Sequence, residues 1–316
     1  MVNFASFFLQ IRNKIERKNM TDNKKHKAGF VNIIGNPNVG KSTLMNALVG
    51  ENLSIITSKV QTTRHRILGI VNGDDFQIVY SDTPGIIKNP GYKLQEAMMN
   101  FVDSAIEDAD VFLYVTTMDD SDIHEDIKEK LNNSGVPIVV ALNKIDLSNQ
   151  DKVAQKLEQL KSEFPKAELL PVSALHKFNL EGIFNLVYQQ LPEGEAFYSK
   201  DELTDKTMRF FISEIIREKI LLYYKKEVPY SAEVAVDSYK ETEDRIDIHA
   251  YIFVMRDTQK GIILGHQGKA IKRLGTEARK DIEEFVDKHI YLDLTVKVKK
   301  DWREDDNMLK NFGYTN

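Results

Sequence analysis

The feature that most constrains the fold is a glycine-rich stretch near the start of the chain, Gly35-Asn36-Pro37-Asn38-Val39-Gly40-Lys41-Ser42. It follows an apolar run at residues 30–34 that is typical of a strand, and it precedes residues 43–49, which have a helical pattern. A glycine turn between a strand and a helix lets backbone N–H groups and the helix N-terminus point at a polyphosphate. The stretch therefore predicts a phosphate-binding loop with these contact residues: Gly35, Asn36, Pro37, Asn38, Val39, Gly40, Lys41, Ser42 and Thr43.

Two side chains of this loop, and a second motif further along the chain, carry the predicted chemistry. Lys41 can reach the β- and γ-phosphates as a catalytic point charge, and Ser42 can offer its hydroxyl to Mg²⁺. The second motif, Asp82-Thr83-Pro84-Gly85, follows an apolar strand pattern. We predict that Asp82 holds Mg²⁺ through a water and that Gly85, which lacks a Cβ, brings its N–H to the γ-phosphate as a catalytic group. The predicted nucleotide site also includes Thr83, Pro84 and Ile86.

The composition excludes several classes of protein. With 316 residues the chain is long enough for two or three domains, and its 42% hydrophobic and 29% charged residues are ordinary for a globular protein. The absence of cysteine excludes disulfides, thiolate metal sites and a cysteine nucleophile. The net charge of −5 does not indicate a nucleic-acid binder, so any such signal must be local.

Strand and helix patterns alternate after the loop. An Asn-Gly turn at residues 72–73 joins two apolar runs as a hairpin, and continuous apolar runs such as 111–115 are typical of strands buried on both faces. The pattern predicts an α/β fold with a doubly wound, mostly parallel sheet, whose ligands bind beyond the carboxyl ends of the strands. The predicted strands are 67–71, 76–81, 111–115, 137–142 and 169–172, and the helices are 94–109, 123–132, 152–164 and 180–191.

Base selection is predicted at two later motifs, each following a strand. The carboxylate of Asp146 can accept hydrogen bonds from the ring N–H and the exocyclic amine of guanine, which adenine does not offer. Such a site can reject the wrong base by roughly 10⁴-fold. Ser173 and Ala174 can present a backbone N–H to the guanine O6. The predicted base-binding residues are Asn143, Lys144, Asp146, Ser173 and Ala174.

Together these motifs resemble the translation-factor class of small GTPases over residues 28–191, and residues 36–43 and 61–64 resemble its Era family. The resemblance implies a switch I at about residues 51–66, in which Thr62 or Thr63 meets Mg²⁺ and the γ-phosphate, and Thr63 is a predicted catalytic residue. It implies a switch II from residue 82 to about residue 92. It also suggests that Asn38 helps to hold K⁺ near the β- and γ-phosphates.

One position departs from Ras-like GTPases. Ile86 follows the Asp-Thr-Pro-Gly motif, where those enzymes carry a water-orienting glutamine. Isoleucine cannot polarise water, so hydrolysis must depend on the loop, Mg²⁺ and backbone groups. We expect a slow intrinsic turnover of about 10⁻⁴–10⁻² s⁻¹.

The second half of the chain predicts a different domain. Residues 192–207 are polar and acidic, which is typical of a linker, and residues 208–316 show an α-β-β-α-α-β pattern. A Gly-x-x-Gly at 265–268 lies between two short predicted helices, Thr258 to Leu264 and Lys269 to Leu274, and a further helix is predicted from Thr276 to His289. This arrangement resembles a type II KH domain, an α+β fold whose glycine loop clamps about four nucleotides of RNA. The predicted RNA-binding residues are Gly265, His266, Gln267, Gly268, Lys269, Lys272 and Arg273.

Local charge agrees with this interpretation. Residues 256–300 contain eleven Lys and Arg against seven Asp and Glu, in a chain that is acidic as a whole. Trp302 either stacks on a base or caps the domain core, and we favour the core.

With both domains, residues 28–316 resemble the Era family throughout. The resemblance implies a cytoplasmic, monomeric GTP-hydrolysing switch that uses Mg²⁺ and GTP or GDP. It further implies binding near the 3′ end of small-subunit ribosomal RNA, a role in assembling the small ribosomal subunit, and peripheral contact with the inner face of the cell membrane. The alternative is a membrane-associated GTPase that couples growth or cell-cycle state to translation. A tRNA-modification GTPase ranks lower because the expected cysteines are absent.

The first 27 residues form an N-terminal extension. Phenylalanines and other apolar residues at 4–11 precede the basic residues at 12–18, which is the reverse of a secretory signal. Two interpretations stay open. Either a short basic amphipathic helix touches a membrane surface, or translation begins at Met20 and the segment is a disordered or untranslated tail.

Overall fold

The computed structural model describes residues 25–120 and 125–315, and these form two compact units. The first unit contains residues 25–54, Arg66–Ile86 and Val102–Asp205. The second contains Ile55–His65, Ile87–Phe101 and residues 206–315. Two segments from the first half of the sequence therefore belong to the second unit. The predicted domain boundaries at residues 191 and 208 stay predictions.

The first unit is built on a six-stranded sheet in the order β2-β3-β1-β4-β5-β6. Neighbouring strands are parallel except for β2, which pairs antiparallel with β3 as the Asn-Gly turn predicted. The strands are β1 (Lys27–Ile34), β2 (Ile67–Asn72), β3 (Phe76–Asp82), β4 (Val111–Thr117), β5 (Ile138–Asn143) and β6 (Glu168–Pro171). The helices are α1 (Lys41–Val49), α2 (Lys93–Glu107, which begins in the second unit), α3 (Glu125–Asn133), α4 (Gln150–Glu163) and α5 (Leu180–Gln190).

These bounds confirm the alternating pattern to within a few residues. The exception is the start of the predicted helix 123–132, which lies outside the described residues. Every residue of β3 and β5 is buried, as continuous apolar runs predict for central strands. Since the parallel register sets Ile33 opposite Asp82, the carboxyl end of β3 lies beside the start of the glycine-rich loop.

The predicted linker packs along the first unit as far as Asp205. The side chain of Gln77 donates to the carbonyl of Tyr198 (2.8 Å) and accepts from the N–H groups of Phe197 and Tyr198. The backbone N–H of Ile70 donates to the carbonyl of Leu203 at 2.8 Å. An acidic, polar segment can therefore be ordered, because its backbone is hydrogen-bonded along strands of this unit.

The second unit has a three-stranded sheet in the order β7-β8-β9, antiparallel between the first two strands and parallel between the last two. The elements are α6 (Met208–Tyr223), α7 (Val228–Ser231), β7 (Glu233–Glu241), β8 (Ile246–Val254), α8 (Asp257–Leu264), α9 (Lys269–Val286), β9 (Ile290–Val298) and α10 (Asp306–Asn311). Burial alternates strictly along β8, so one face packs on the helices over a core of Ile, Val and Leu. The α-β-β-α-α-β order is confirmed, with α7 and α10 as additions.

One element differs from its prediction. Two helices were expected on either side of Gly275, but α9 runs through it without a break. Leu274, Ala278 and Ile282 are buried at helical spacing across this position. Their packing outweighs the cost of about 1 kcal/mol for a glycine inside a helix.

Trp302 lies in the core of the second unit and not on a nucleic-acid face. It is fully buried, and its indole N–H donates to the carbonyl of Ser231 at 2.9 Å. It packs with Leu94, Ala97 and Met98 of α2 and with Leu309 and Tyr314. The interpretation of Trp302 as a core residue is confirmed, and part of that core comes from the segment Ile87–Phe101.

Candidate nucleotide site and RNA-binding groove

The glycine-rich loop of the first unit is tightly fitted to its surroundings. A Cβ on Gly35 would lie 2.2 Å from the carbonyl oxygen of Val115. Gly40 has φ +97, in the left-handed region, and a Cβ there would lie 2.4 Å from Nδ2 of Asn143. Gly35 is therefore required because a side chain there would clash with the backbone. Gly40 is required because a side chain would clash and because its backbone is left-handed.

Lys41 is buried beneath this loop. Its ammonium donates to the carbonyls of Gly35 (2.9 Å) and Asn36 (3.0 Å). Burial lowers the pKa of Lys41 to about 8, and the charges of Asp82 and Asp120 only partly offset it. A polyphosphate in the loop would supply the anion that such a buried ammonium favours. The loop therefore fits the nucleotide phosphates.

The residues predicted to hold Mg²⁺ lie together at the carboxyl end of β3. The hydroxyl of Ser42 donates to Oδ2 of Asp82 at 2.7 Å. A hydroxyl and a carboxylate beside a phosphate-binding loop are the oxygen ligands that Mg²⁺ prefers, so these two residues fit the metal.

The rest of the Asp-Thr-Pro-Gly motif contacts the loop directly. Thr83 donates from its hydroxyl to the carbonyl of Ile33 at 2.8 Å. A Cβ on Gly85 would lie 2.8 Å from Cα of Pro37. The N–H of Ile86 points to the carbonyl of Gly35 at 3.5 Å, and its side chain is buried. This motif is therefore held against the loop, and the predicted contact of the Gly85 N–H with the γ-phosphate stays a prediction.

The residues predicted to bind the base also meet in the first unit. Asn143 donates to the carbonyl of Val39 (2.9 Å) and accepts from the N–H of Ala174 (3.0 Å). The ammonium of Lys144 donates to the carbonyl of Asn38 at 2.6 Å. The strand end after β5 is thus hydrogen-bonded to the phosphate-binding loop.

Asp146 presents its carboxylate at the edge of this cluster. Its Oδ1 accepts from the hydroxyl of Ser173 at 2.5 Å. His176 lies close by, with Nε2 3.8 Å from Oδ2 of Asp146, and was not predicted. One hydroxyl donor orients the carboxylate, which suits it to accept two hydrogen bonds from guanine.

Thr62 and Thr63 belong to the second unit. The hydroxyl of Thr62 donates to the carbonyl of Lys59 at 2.6 Å and lies 2.6 Å from that of Thr57. Its backbone carbonyl accepts from Arg217, and both threonines are buried. Their predicted roles toward Mg²⁺ and the γ-phosphate stay predictions.

The Gly-x-x-Gly loop of the second unit joins α8 to α9 through a single 3₁₀ turn. Gly265 and Gly268 have φ +69 and +72, and Gln267 also has a left-handed φ of 50. A Cβ on Gly268 would meet nothing within 4 Å, so the surface there is open to a ligand backbone. His266 and Lys269 are exposed on the same loop and at the start of α9.

A groove of about 390 Å³ lies between α9, the helix that follows this loop, and β9. Lys272 and Arg279, seven residues apart on one helix face, supply positive charge, and Tyr291 exposes 57% of its surface. The full lining is Ile271, Lys272, Gly275, Thr276, Arg279, Ile290, Tyr291, Leu292 and Leu294. Apart from Lys272 these residues were not predicted, although the helical spacing of Arg279 from Lys272 was a usable signal.

Arg273 has a different environment from Lys272. Its guanidinium lies 4.7 Å from the ring centroid of Tyr223 on α6, and it does not line the groove. Its predicted contact with RNA stays a prediction.

The fold and these two sites define a class of protein, a phosphate-loop GTPase followed by a KH domain. The family described as 50S ribosome-binding GTPase matches residues 30–144, and the KH domain family matches residues 227–303. GTPase Era of Clostridium kluyveri is 44% identical over 291 residues, which cover 91% of this chain and 99% of that protein. The chloroplastic GTPase ERA1 of Zea mays is 44% identical over 294 residues, 92% of this chain and 71% of that protein. The chain belongs to the Era family of GTPases.

Two solved structures match with a TM-score of 0.87. A variant of Aquifex aeolicus Era bound to GDP·AlF4⁻ is 35% identical, and the match covers 92% of this chain and all of that one. Era in complex with MgGDPNP and nucleotides 1506–1542 of 16S ribosomal RNA is 34% identical, with the same coverage. The predictions of family, fold class and GTPase activity are confirmed, and the predicted ligands Mg²⁺ and GTP or GDP match those of these relatives.

None of the comparisons supports the alternative of a membrane-associated signalling GTPase. Within residues 25–120 and 125–315, no helix has the length and apolar character that crossing a bilayer requires. The apolar and basic residues at 4–18 lie outside the described residues.

Proposed function

We propose that this chain is a GTP-controlled RNA-binding protein that binds small-subunit ribosomal RNA through its KH groove and assists assembly of the small ribosomal subunit. One observation carries the proposal. A relative that matches 92% of this chain at 34% identity is an Era bound to MgGDPNP and nucleotides 1506–1542 of 16S ribosomal RNA. This chain has a phosphate-binding loop in one unit, and in the other it has a Gly-x-x-Gly loop and the groove between α9 and β9 that Lys272 and Arg279 line.

The proposed hydrolysis depends on charge stabilisation. Lys41, the loop N–H groups and Mg²⁺ at Ser42 and Asp82 would stabilise charge on the γ-phosphate, and Gly85 would add its N–H. Ile86 offers no group to orient water, so the expected turnover stays at about 10⁻⁴–10⁻² s⁻¹ without a partner. Thr63 is the proposed contribution from switch I.

Coupling between nucleotide and RNA is supported by the segment Ile55–His65, which lies in the second unit although chain on both sides of it belongs to the first. The ammonium of Lys59 donates to the carbonyl of Tyr224 at 2.8 Å, beyond the end of α6, and also to that of Leu221. Arg64 is fully buried and donates to Oε2 of Glu233 (2.9 Å) and to the carbonyl of Ala232 (2.9 Å). Because nucleotide state orders or releases switch segments in GTPases, a change in this segment would reach the RNA-binding unit.

The test measures RNA affinity in each nucleotide state. A labelled single-stranded RNA with the sequence of the 16S 3′ end is titrated with protein bound to Mg-GDP or to a non-hydrolysable GTP analogue. We expect tighter binding with the analogue, whereas Lys41→Ala should abolish nucleotide binding and remove the difference. Equal RNA affinity with Mg-GDP and with the analogue would refute the coupling. If neither complex binds the RNA, the RNA-binding function itself is refuted.

Cellular location is a separate part of the proposal. A cytoplasmic protein with peripheral contact to the inner face of the membrane is what the family resemblance implies. Fractionation of cells that express the full chain or a form beginning at Met20 tests the contact. We expect part of the full-length protein to be recovered in the membrane fraction, and the shorter form to be absent from that fraction. An identical distribution of the two forms would reject a role for residues 1–19.

A further inference from the structure

Asp120, just beyond the end of β4, connects three parts of the first unit. Its Oδ1 accepts a hydrogen bond from the side-chain amide of Asn36, in the phosphate-binding loop, at 2.7 Å. Its Oδ2 accepts from the hydroxyl of Thr116, a fully buried residue of β4, at 3.0 Å. Its backbone carbonyl accepts from the ammonium of Lys156 on α4 at 2.9 Å. No sequence motif identified this residue.

The position of Asn36 matters for the GTPase reaction because its carbonyl accepts from the ammonium of Lys41. That ammonium is the charge expected to meet the phosphates, so a shift of the loop at Asn36 would move it. The connection therefore runs from Thr116, in a buried strand of the sheet, through Asp120 to the loop.

We propose that Asp120 is a positioning residue for the GTPase reaction, which holds Asn36 and thereby the phosphate-binding loop and Lys41 in the geometry that receives GTP or GDP. Its carboxylate acts as a hydrogen-bond acceptor between β4 and the loop and does not touch the nucleotide. Acceptance of two hydrogen bonds by one carboxylate is a stronger and more directional anchor than contact with a neutral acceptor. This proposed role of Asp120 involves only the nucleotide site, and it does not depend on whether the chain binds RNA.

Three variants separate anchoring from simple loss of charge. In Asp120→Ala both acceptors are lost, and we expect the affinities for GDP and for a GTP analogue to fall by about the same factor, roughly tenfold, as for one to two hydrogen bonds. In Asp120→Asn the amide oxygen still accepts from Asn36, and the Thr116 hydroxyl can accept from the new NH₂ group, so affinity should stay within about threefold. Asp119→Ala removes the same charge from the exposed neighbouring residue and should bind like the parent.

A double-mutant cycle tests whether Asp120 acts through Asn36. We expect Asn36→Ala and Asp120→Ala each to lower the affinity for GDP. The double variant should have the same GDP affinity as whichever single variant binds GDP less tightly. Independent, multiplying losses would overturn the proposal, as would parent-like affinity in Asp120→Ala. Thermal unfolding of every variant without nucleotide checks that each variant is folded. A merely structural role of Asp120 would lower the unfolding temperature without coupling its loss of GDP affinity to that of Asn36→Ala.

Lys41→Ala in the same titration separates this proposal from the proposed function. If Lys41→Ala loses nucleotide while Asp120→Ala keeps parent affinity, the nucleotide site stands and only the role of Asp120 fails. If Lys41→Ala itself binds like the parent, the nucleotide site assigned here is wrong.

Discussion

Arg217, on the helix before the KH strands, donates a hydrogen bond to the backbone carbonyl of Thr62, a residue 155 positions earlier in the chain. The same guanidinium forms a bidentate pair with Glu214, with distances of 2.7 and 2.6 Å. The side chain of Arg217 is fully buried, and the charge of Glu214 keeps its pKa raised despite burial. This arrangement ties a segment that the family resemblance identifies as switch I to helix α6.

Removal of Arg217 should be strongly destabilising. Arg217→Ala would leave the buried carboxylate of Glu214 without its ion-pair partner, at an expected cost of about 3–5 kcal/mol in the free energy of unfolding. Urea denaturation measures the loss. Arg245→Ala is the matched control, because its pair with Asp247 is exposed and should change stability by less than about 1 kcal/mol. Equal effects of the two substitutions would contradict a buried, structural ion pair.

His65 should make the second unit sensitive to acid. Its ring stacks on that of Tyr314, with 4.2 Å between the ring centroids, and meets the ring of Phe210 edge-on, with 5.3 Å between the centroids. Burial lowers the pKa of His65 to about 3. Glu233 opposes that shift, while Arg217, Lys206 and Arg64 add to it. Between pH 6.5 and pH 3 the unfolded chain therefore binds a proton that the folded chain does not, so stability falls as the pH falls through this window.

The predicted loss at pH 4.5, relative to pH 7, is about 2–3 kcal/mol from this residue alone. His65→Phe keeps an aromatic ring against Tyr314 and removes the titration. Urea unfolding at both pH values should show a smaller acid loss in the variant than in the parent. An unchanged difference between the two pH values would show that His65 does not titrate in this way.

Substitution of Asp146 should change the preferred base. Asp146→Asn replaces a double acceptor by a group that also donates, which suits the additional carbonyl of xanthine and leaves guanine poorly paired. We expect GTP affinity to fall by up to roughly 10⁴-fold and xanthosine triphosphate to bind more tightly than GTP. Competition titrations with a fluorescent nucleotide measure both constants, and unchanged GTP affinity would argue against base recognition by Asp146.

The local part of this architecture could be predicted from the sequence because each motif follows its own strand. The loop at 35–42, Asp82 and Asn143 all lie at strand ends, and the parallel order of the sheet brings strand ends to one edge. Chain order and apolar runs were therefore sufficient to predict that these motifs lie at strand ends, whereas their contacts with a nucleotide stay predictions.

Contacts between distant residues could not be predicted in the same way. The Arg217 side chain bonds the backbone carbonyl of Thr62, and the Asp120 side chain bonds the side chain of Asn36, and the spacing of neither pair has a period in the sequence. The unbroken helix through Gly275 had a similar cause, because only packing in the core decides whether a glycine ends a helix. The segment after residue 191 is polar and therefore suggested a linker. Its packing could not be foreseen, because its hydrogen-bond partners, such as Gln77, lie on strands that are distant in the sequence.

Potassium should accelerate GTP hydrolysis if Asn38 helps to hold it. Asn38 has a left-handed φ of 64, and its carbonyl accepts from Lys144, so its place in the loop is fixed. Amide and carbonyl oxygens are ligands suited to K⁺. We expect faster phosphate release in K⁺ than in Na⁺ buffer at equal ionic strength, and loss of that difference in Asn38→Ala. The same turnover of the parent protein in the two buffers would remove the K⁺ site.

The KH groove can be tested with two lysines on the same helix. Lys272 lines the groove, whereas Lys280 is exposed outside it and pairs with Glu277 at 3.0 Å. Lys272→Ala should weaken binding of single-stranded RNA and reduce the slope of log affinity against log salt by about 0.7, the value for one phosphate contact on a single strand. Lys280→Ala removes the same charge and should leave that slope unchanged. Because both variants lower the net charge equally, a similar loss in both would show that RNA responds to overall charge and not to this groove.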